Sequence, residues 1–506
     1  LNNILGISAG FHDAAATVID SVTGEILFAS HSERFSKKKH DKHMSADMLK
    51  YATSKFGPIG TIAYYEKPWL KRIREYMAGQ PITPIEWSLR GDITKHFKGI
   101  HGESLINNAK KIVNFGHHKS HAAAGFQTSP YSAATVVVID AIGEMDTISI
   151  WNAHYDKKGN AKYKLKWRQG YPDSIGLFYS AVTKHVGLKP LDEEYILMGM
   201  AAYGQAWKTS CILEDRLIAT SKPPTFKENL HIGLPEIDFG DATDYDIAAG
   251  AQRVTEHLIG KVFEKARSYA NTNNVVYMGG AALNCSANRL LGKYFNNIWI
   301  MPNPGDAGSS LGAAALAYGK RLQWKDAFLG YNIKGEYPVD AVLDSLLKDK
   351  IVGVASGKAE FGPRALGNRS LLADPRGKDI KDKVNKIKQR QKFRPFAPVI
   401  LAEHVNDYFD MPYGFKKSDY MQVTAMCLQP AEFPAIIHAD TTSRVQTVPN
   451  DGSGIRRLLE AWYKATGCPM LLNTSLNIRG APAVNDIEDA KKFEQIYGVT
   501  VHTSVL

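Results

Sequence analysis

The sequence predicts an α/β protein of two domains, and three observations carry that reading. Its 506 residues exceed the roughly 250–300 at which a single core stops growing. Short strands bounded by Gly or acidic turns alternate with helical stretches along the chain. The strand–turn–strand pattern that opens the chain returns from Ala134, a weak internal repeat. A boundary near 325–340 divides the chain into 1–330 and 331–506, and no low-complexity linker marks it, so the parts should pack together.

In order, Asn3 to Gly10 reads as a strand, Phe11-His12-Asp13 as a turn, and Ala14 to Ile19 as the returning strand. Thr23-Gly24-Glu25 turns into Ile26-Leu27-Phe28. The second copy is Ala134 to Asp140, Gly143 and Thr147 to Trp151, with a turn at Lys158-Gly159-Asn160. Two such units resemble the duplicated halves of the fold shared by actin, sugar kinases and heat-shock chaperones, in which both turns face a nucleotide. Asn274 to Met278 is a buried strand, Gly279-Gly280 a tight turn that lets backbone approach a ligand, and Ala281 to Leu291 a helix. Ile298 to Met301 is a strand, and Pro302 to Gly308 opens an Ala-rich helix reaching Lys320. Beyond Asp340 come a helix over Val342 to Lys348 and a strand over Ile351 to Ala355.

Composition bounds the function. With 44% hydrophobic and 22% charged residues the chain can build a sizeable core. Its 62 Lys and Arg against 51 Asp and Glu leave +11, which excludes an acidic, self-repelling chain. The excess suits phosphorylated substrates, nucleic acid or anionic membrane, or simply a solvated basic surface. No run approaches the ~20 apolar residues of a spanning helix, and Leu1-Asn2-Asn3 lacks a secretory pattern, so a cytoplasmic protein without membrane contact is expected. Cys211, Cys285, Cys427 and Cys468 form no Cys-x-x-Cys pair and read as buried hydrophobes.

His117 and His121 stand at i and i+4, so a helix would place both imidazoles on one face. Alone they would be ordinary helical histidines. Asp140 and Asp306, both at edges of the expected cleft, add two oxygens, a set that suits iron, manganese or zinc better than magnesium. His12, at the first turn, is a candidate general base, or a turn cap or substrate ligand that moves no proton. Glu33 to His40 is a basic run, a solvated loop or an anion clamp. In the C-terminal part, Glu360 to Arg369 suggests a helix start at which Arg364 meets phosphate. Lys386, Lys388, Arg390, Lys392 and Arg394 alternate, so a strand would present five cations on one side. Arg444, Ser475 and Asn477 add groups that can grip a nucleotide or a planar amide.

Several motifs keep one order over nearly the whole chain: Gly10 to Ala15, Glu33-Arg34-Phe35 with Lys38-Lys39-His40, His117 to His121, Glu194-Tyr195, Gly279 to Cys285, Gly305 to Gly308, Phe361 to Arg376, Phe393 to Pro398, His438-Ala439-Asp440 and Leu472 to Gly480. On them the sequence resembles the NodU-type O-carbamoyltransferase family of antibiotic-tailoring and nodulation enzymes. The resemblance implies an actin-like N-terminal domain similar to the tRNA threonylcarbamoyl transferase, and a C-terminal α/β domain similar to the YrdC fold. It implies that ATP and carbamoyl phosphate form carbamoyl-adenylate, whose carbamoyl group passes to an acceptor hydroxyl. His117, His121, Asp140 and Asp306 would then hold a divalent metal, iron. His12 would be the acceptor base, with Lys39 beside the intermediate. Arg364, Lys388, Arg390, Arg394 and Arg444 would bind phosphates, Ser475 and Asn477 match a Ser-x-Asn pattern, and Gly279, Gly280 and Asn284 would face the nucleotide.

The chain departs from that pattern where Ile196 and Thr441 replace the family's usual Lys and Gly, and it is shorter than many relatives. These departures bear on the acceptor: a small hydroxylated metabolite, or a polyanion such as a hydroxymethylated DNA base, which would have to be flipped out or presented single-stranded. The alternative of another class is a nucleotide-gated binding or regulatory module without transfer activity. The cation set argues against it. The sequence sets no oligomeric state.

Overall fold

Two five-stranded sheets repeat one topology. The computed structural model describes residues 2–79, 82, 88–97 and 100–505. In the first sheet, β1 (Asn3–Ser8), β2 (Ala15–Ile19), β3 (Ile26–His31), β4 (Ile59–Tyr64) and β5 (Lys111–Asn114) are ordered β3-β2-β1-β4-β5. β1 pairs antiparallel with β2 and parallel with β4. The next strands are β6 (Ala133–Gly143), β7 (Asp146–Tyr155) and β8 (Ala161–Gly170), a short hairpin of β9 (Ile218–Ser221) and β10 (Pro224–Phe226), then β11 (Asn274–Met278) and β12 (Asn297–Trp299). The second sheet runs β12-β11-β6-β7-β8, which read from β6 is the same order: an antiparallel meander, then parallel neighbours.

The core explains why β1 and β6 are near-continuous hydrophobic runs, since each has packing on both faces. Val136 and Val138 of β6 join a core between the sheets, while Val137 and Ile139 join one on the outer side. Helices His117–Thr128 and Ser309–Tyr318 lie in the inner layer, with Ala122 to Ala124 and Ala313 to Ala315 fully buried. Small residues let them close. A Cβ on Gly312 would stand 1.8 Å from the Ser120 carbonyl oxygen, and one on Gly6 2.0 Å from that of Ser310. The helix carrying the two histidines is thus pinned to the segment that begins at Asp306.

The C-terminal part holds a six-stranded mixed sheet in the order Gln446–Val448, Ala397–Leu401, Met470–Ser475, Arg369–Ala373, Ile351–Ala355, Val501–Thr503. Helices Val339–Asp349 and Gly454–Thr466 cover one face through Val342, Leu346 and the buried Trp462. Helices Ile380–Lys388 and Ile487–Tyr497 cover the other.

Four expectations are corrected. The alternating cations are not on a strand: Ile380–Lys388 is a helix stopped by Gln389 in a left-handed conformation, and a loop follows. Its buried face, Ile380, Val384 and Lys388, has helical spacing, and apolar burial outweighs an alternation of charge alone. The stretch between Glu360 and Arg369 is a loop joining strands Gly357–Glu360 and Arg369–Ala373, not a helix start. The Glu360 carboxylate turns inward and accepts the N–H groups of Leu366, Asn368 and Arg369 at 2.8, 2.9 and 3.2 Å. Ala281 to Leu291 is broken into a 3-10 turn, Gly280–Leu283, and a short helix, Cys285–Asn288, because the Asn284 side chain caps at Ala287 N–H. Cys211 is exposed, while the other three cysteines are buried. A strand-borne cation row exists elsewhere: Lys162, Lys164, Lys166 and Arg168 alternate along edge strand β8, where lysines discourage further strand pairing. Among the described residues no helix is long and apolar enough to cross a membrane.

Candidate active site

His117 and His121 sit one turn apart at the start of their helix, Asp140 within β6, and Asp306 on the turn before Ser309–Tyr318. Packing brings all four together, buried. His117 Nε2 lies 3.1 Å from Asp140 Oδ2 and 3.2 Å from Asp306 Oδ1; His121 Nε2 lies 3.2 Å from Asp306 Oδ1 and 3.6 Å from Asp140 Oδ2. The two Nε2 atoms face each other at 3.1 Å. Metal bonds of about 2.1 Å put neighbouring ligands about 3.0–3.4 Å apart, so this spacing fits one cation. Burial opposes charge here, yet Asp306 and Asp140 hold both imidazoles above their ordinary range, and the imidazoles hold both carboxyls below theirs.

Two carboxylates that sequence reasoning missed stand behind the cluster. Glu66 Oε2 faces His117 Nδ1 at 3.8 Å, and Lys71 Nζ stands 3.7 Å from Glu66 Oε1. Burial pushes Glu144 up to about 7, although it accepts the Lys67 N–H. The available signal was an acidic residue directly after the buried Tyr64-Tyr65 pair, since a buried carboxylate needs a partner. The glycine turn touches the same cluster: Gly280 N–H lies 3.2 Å from Asp140 Oδ1, and Gly279 has φ 93° with no room for a side chain, since a Cβ would stand 2.1 Å from the Ile139 carbonyl oxygen. Asn284 is held by reciprocal 3.0 Å bonds with Gln252.

His12 lies in the first turn with Nδ1 2.9 Å from Asp13 Oδ2. Burial lowers its pKa, but Asp13, Asp306 and Asp140 together hold it above the usual histidine value, so its ring lies within reach of the cluster's field. The basic run is not a free anion clamp. Lys39 Nζ lies 2.7 Å from Asp192 Oδ1, and Lys37 pairs with Asp489 and, at 3.5 Å, with Asp486. Arg34 is buried and donates to the Gly362 carbonyl at 3.4 Å.

The remaining predicted residues form a second cluster. Lys388, only 4% exposed, donates to the Ser475 carbonyl and hydroxyl and, at 2.6 Å, to Asn477 Oδ1. Arg390 stacks 3.9 Å over Phe396, and Arg394 4.7 Å over Tyr195. Arg444 lies against Cys285 and within the field of Arg364, and among the described residues its buried Nε has no partner. Among the described residues none of these five cations pairs with a carboxylate. Burial therefore pushes them down, aided by mutual repulsion at all but Arg444, with Lys388 well below its ordinary value and Arg364 at about 9. Buried positive charge without a counterion is costly unless an anion completes it. Tyr195 and Cys285 belong to the N-terminal part, so this pocket lies at its junction with the C-terminal part.

Comparison with known proteins identifies the family. The family described as carbamoyltransferase N-terminus matches residues 63–315, and carbamoyltransferase C-terminus matches 343–502. An uncharacterised protein of Synechocystis is 32% identical over 97% of this chain and 94% of its own length. The nodulation protein NolNO of Sinorhizobium fredii is 27% identical over 95% of this chain and 76% of its own. The 3'-hydroxymethylcephem-O-carbamoyltransferase of Amycolatopsis lactamdurans is 29% identical over 62% of this chain and 64% of its own. With both halves matched, the chain belongs to the carbamoyltransferase family and is a transferase.

Proposed function

We propose that the protein is an ATP-dependent O-carbamoyltransferase that converts carbamoyl phosphate to carbamoyl-adenylate in residues 331–506, read as a YrdC-like domain, and passes the carbamoyl group to an acceptor hydroxyl in residues 1–330, read as an actin-like domain. The observation that carries this reading is a set of five converging cations, Lys388 buried and four arginines half-buried, none of which pairs with a carboxylate among the described residues. ATP and carbamoyl phosphate are small polyanions that such a set neutralises, and Arg364, Arg390, Arg394 and Arg444 offer planar donors suited to phosphate oxygens. Ser475 and Asn477 fix the Lys388 ammonium, so that it meets phosphate as a placed point charge.

In the N-terminal part, Gly279 and Gly280 let backbone lie close to the nucleotide, and Lys39, paired with Asp192, is assigned beside the intermediate on the family resemblance. His117, His121, Asp140 and Asp306 would hold a divalent ion, iron on the family resemblance, which when bound supplies a Lewis acid for phosphate oxygens and neutralises the two carboxylates. His12 takes the acceptor hydroxyl's proton. The acceptor is read as a small hydroxylated molecule, the class named in the cephem relative. A hydroxymethylated DNA base is the second reading, favoured only by the +11 charge and the row on β8.

Purified protein given ATP and carbamoyl phosphate should release pyrophosphate from ATP and inorganic phosphate from carbamoyl phosphate, with AMP freed on transfer, and mass spectrometry of hydroxylated small molecules and hydroxymethylated DNA should show an added carbamoyl group. Absence of adenylate formation with every acceptor sinks the reading; salt-sensitive DNA binding would turn the acceptor toward nucleic acid.

A further inference from the structure

Around His12 the backbone is held in uncommon shapes. Asp13 and His40 both adopt left-handed conformations, with φ of 50° and 54°. Residues with side chains avoid that region unless their surroundings impose it. Here the side chains account for both. Asp13 spans two imidazoles: its Oδ2 lies 2.9 Å from His12 Nδ1 and its Oδ1 2.8 Å from His40 Nδ1. His40 Nε2 continues to Asp192 Oδ1 at 2.7 Å, and Asp192 is anchored by Lys39 at 2.7 Å and Lys189 at 3.1 Å. Glu33 Oε2 accepts the His40 backbone N–H at 2.9 Å, fixing the left-handed turn. His12, Asp13, His40 and Asp192 form an unbroken hydrogen-bonded file. Asp13, Glu33 and His40 also have the spacing of a cation site, but both ring nitrogens of His40 are already committed to carboxylates.

We propose that Asp13 and His40 are positioning residues for His12, holding its ring as the Nδ1–H tautomer so that Nε2 is the nitrogen that receives the acceptor's proton. This rests on the reading of His12 as the base in carbamoyl transfer. A carboxylate only accepts, so His12 donates to Asp13 from Nδ1, and basicity is left on the opposite nitrogen. His40 donates from both nitrogens to Asp13 and Asp192, and is therefore an imidazolium. It occupies the second Asp13 oxygen, stops the carboxylate from rotating, and draws off part of the charge that would otherwise fall wholly on His12. The electrostatics agree: Asp13 and Asp192 raise His40 to about 10, while the two histidines hold Asp13 far below its ordinary value. Asp13 faces His12, on which Asp306 and Asp140 act only through their charge; the groups facing His40 are Asp13, Asp192, Glu33 and Lys39, with Lys189 acting through Asp192 and His31 through its field.

In the transfer step the acceptor oxygen bonds to the carbamoyl carbon. The bond from that carbon to the phosphate oxygen breaks, its electron pair leaving on AMP. The acceptor proton goes to His12 Nε2 and from there to solvent. His40 and Asp13 change neither charge nor bonding; they fix which nitrogen is free.

The test is histidine-selective 15N NMR of the full chain loaded with diamagnetic Zn²⁺, with His12 assigned by loss of its signals in His12→Gln. The expected result is the Nδ1–H tautomer for neutral His12 in the wild type. In His40→Ala the His12 midpoint should rise by about one pH unit, a tenfold gain in proton affinity, because a neighbouring positive charge has gone. In His40→Gln, which restores a donor to Asp13, the tautomer should persist and the rise should be smaller; in Asp13→Asn the midpoint should fall. An Nε2–H tautomer in the wild type, or the same His12 midpoint in wild type and His40→Ala, overturns the proposal. The wild-type tautomer is readable without any variant. Failure of the carbamoyl-transfer reading would show separately, as no carbamoyl phosphate-dependent pyrophosphate release from the wild type.

Discussion

Lys388 Nζ and Asn477 Oδ1 stand 2.6 Å apart, and among the described residues the charged end of this buried lysine is held by neutral groups, the Asn477 amide with the Ser475 carbonyl and hydroxyl, and by no carboxylate. Burial, then Arg390 and Arg394, hold its pKa well below the ordinary value. The folded state thus disfavours the charge, and stability rises with pH toward the unfolded lysine value. Lys388→Met should melt no lower than wild type, yet lose at least about a hundredfold in pyrophosphate release. Calorimetry with and without ATP checks both: nucleotide should raise the wild-type midpoint more than that of the variant.

Asp306→Asn removes one donor from the His/Asp cluster. Metal analysis after dialysis should find about one divalent ion per wild-type chain and at least about tenfold weaker retention in the variant. Equal retention would mean that Asp306 is not a ligand.

Gly312 sets how closely the two inner helices approach. In Gly312→Val the new side chain begins 1.8 Å from the Ser120 carbonyl oxygen, so the helices must separate. A loss of roughly 1–3 kcal/mol is expected from overpacking, read in denaturant titration, with metal retention falling in parallel as His121 moves away from Asp306.

His40 gives a pH signature. Asp13 first, and then Asp192, raise it from 6.5 to about 10. A histidine whose folded pKa is raised adds stability that is fully present below about 6.5 and lost as pH climbs through about 10. The melting difference between wild type and His40→Ala should therefore be largest near pH 6 and shrink toward pH 10.5. A constant difference would count against the charged ring.

The duplicated sheets and the His/Asp cluster were legible because each left a local mark: a repeated strand–turn–strand, an i, i+4 pair of histidines, and acids at strand and turn ends. The cation pocket was legible in membership but not in form. Lys388, Arg390 and Arg394 do converge, but through a helix end and a loop, because Ile380 and Val384 commit that segment to helical packing. Arg364 and Arg369 look alike in one motif, yet Arg369 is fully buried and its guanidinium is spent on the carbonyls of Asn485, Ser356, Tyr331 and Gly357. His40 and Asp192 stood in the sequence with nothing to join them, being 152 positions apart; only the folded chain makes them neighbours.

Arg479 joins the two regions. Its N–H donates to the Lys388 carbonyl at 3.0 Å, and its guanidinium pairs with Glu193, the residue beside the Asp192 that anchors His40. With Lys37 and Asp489, this pair ties the N-terminal part to the C-terminal part. Exposed ion pairs weaken as salt is added. If the proposed two-step reaction holds, the fidelity of hand-over, meaning carbamoyl groups delivered against those lost to water, becomes a property of ionic strength, and Arg479→Ala at low salt should lose as large a share to water as the wild type does at high salt.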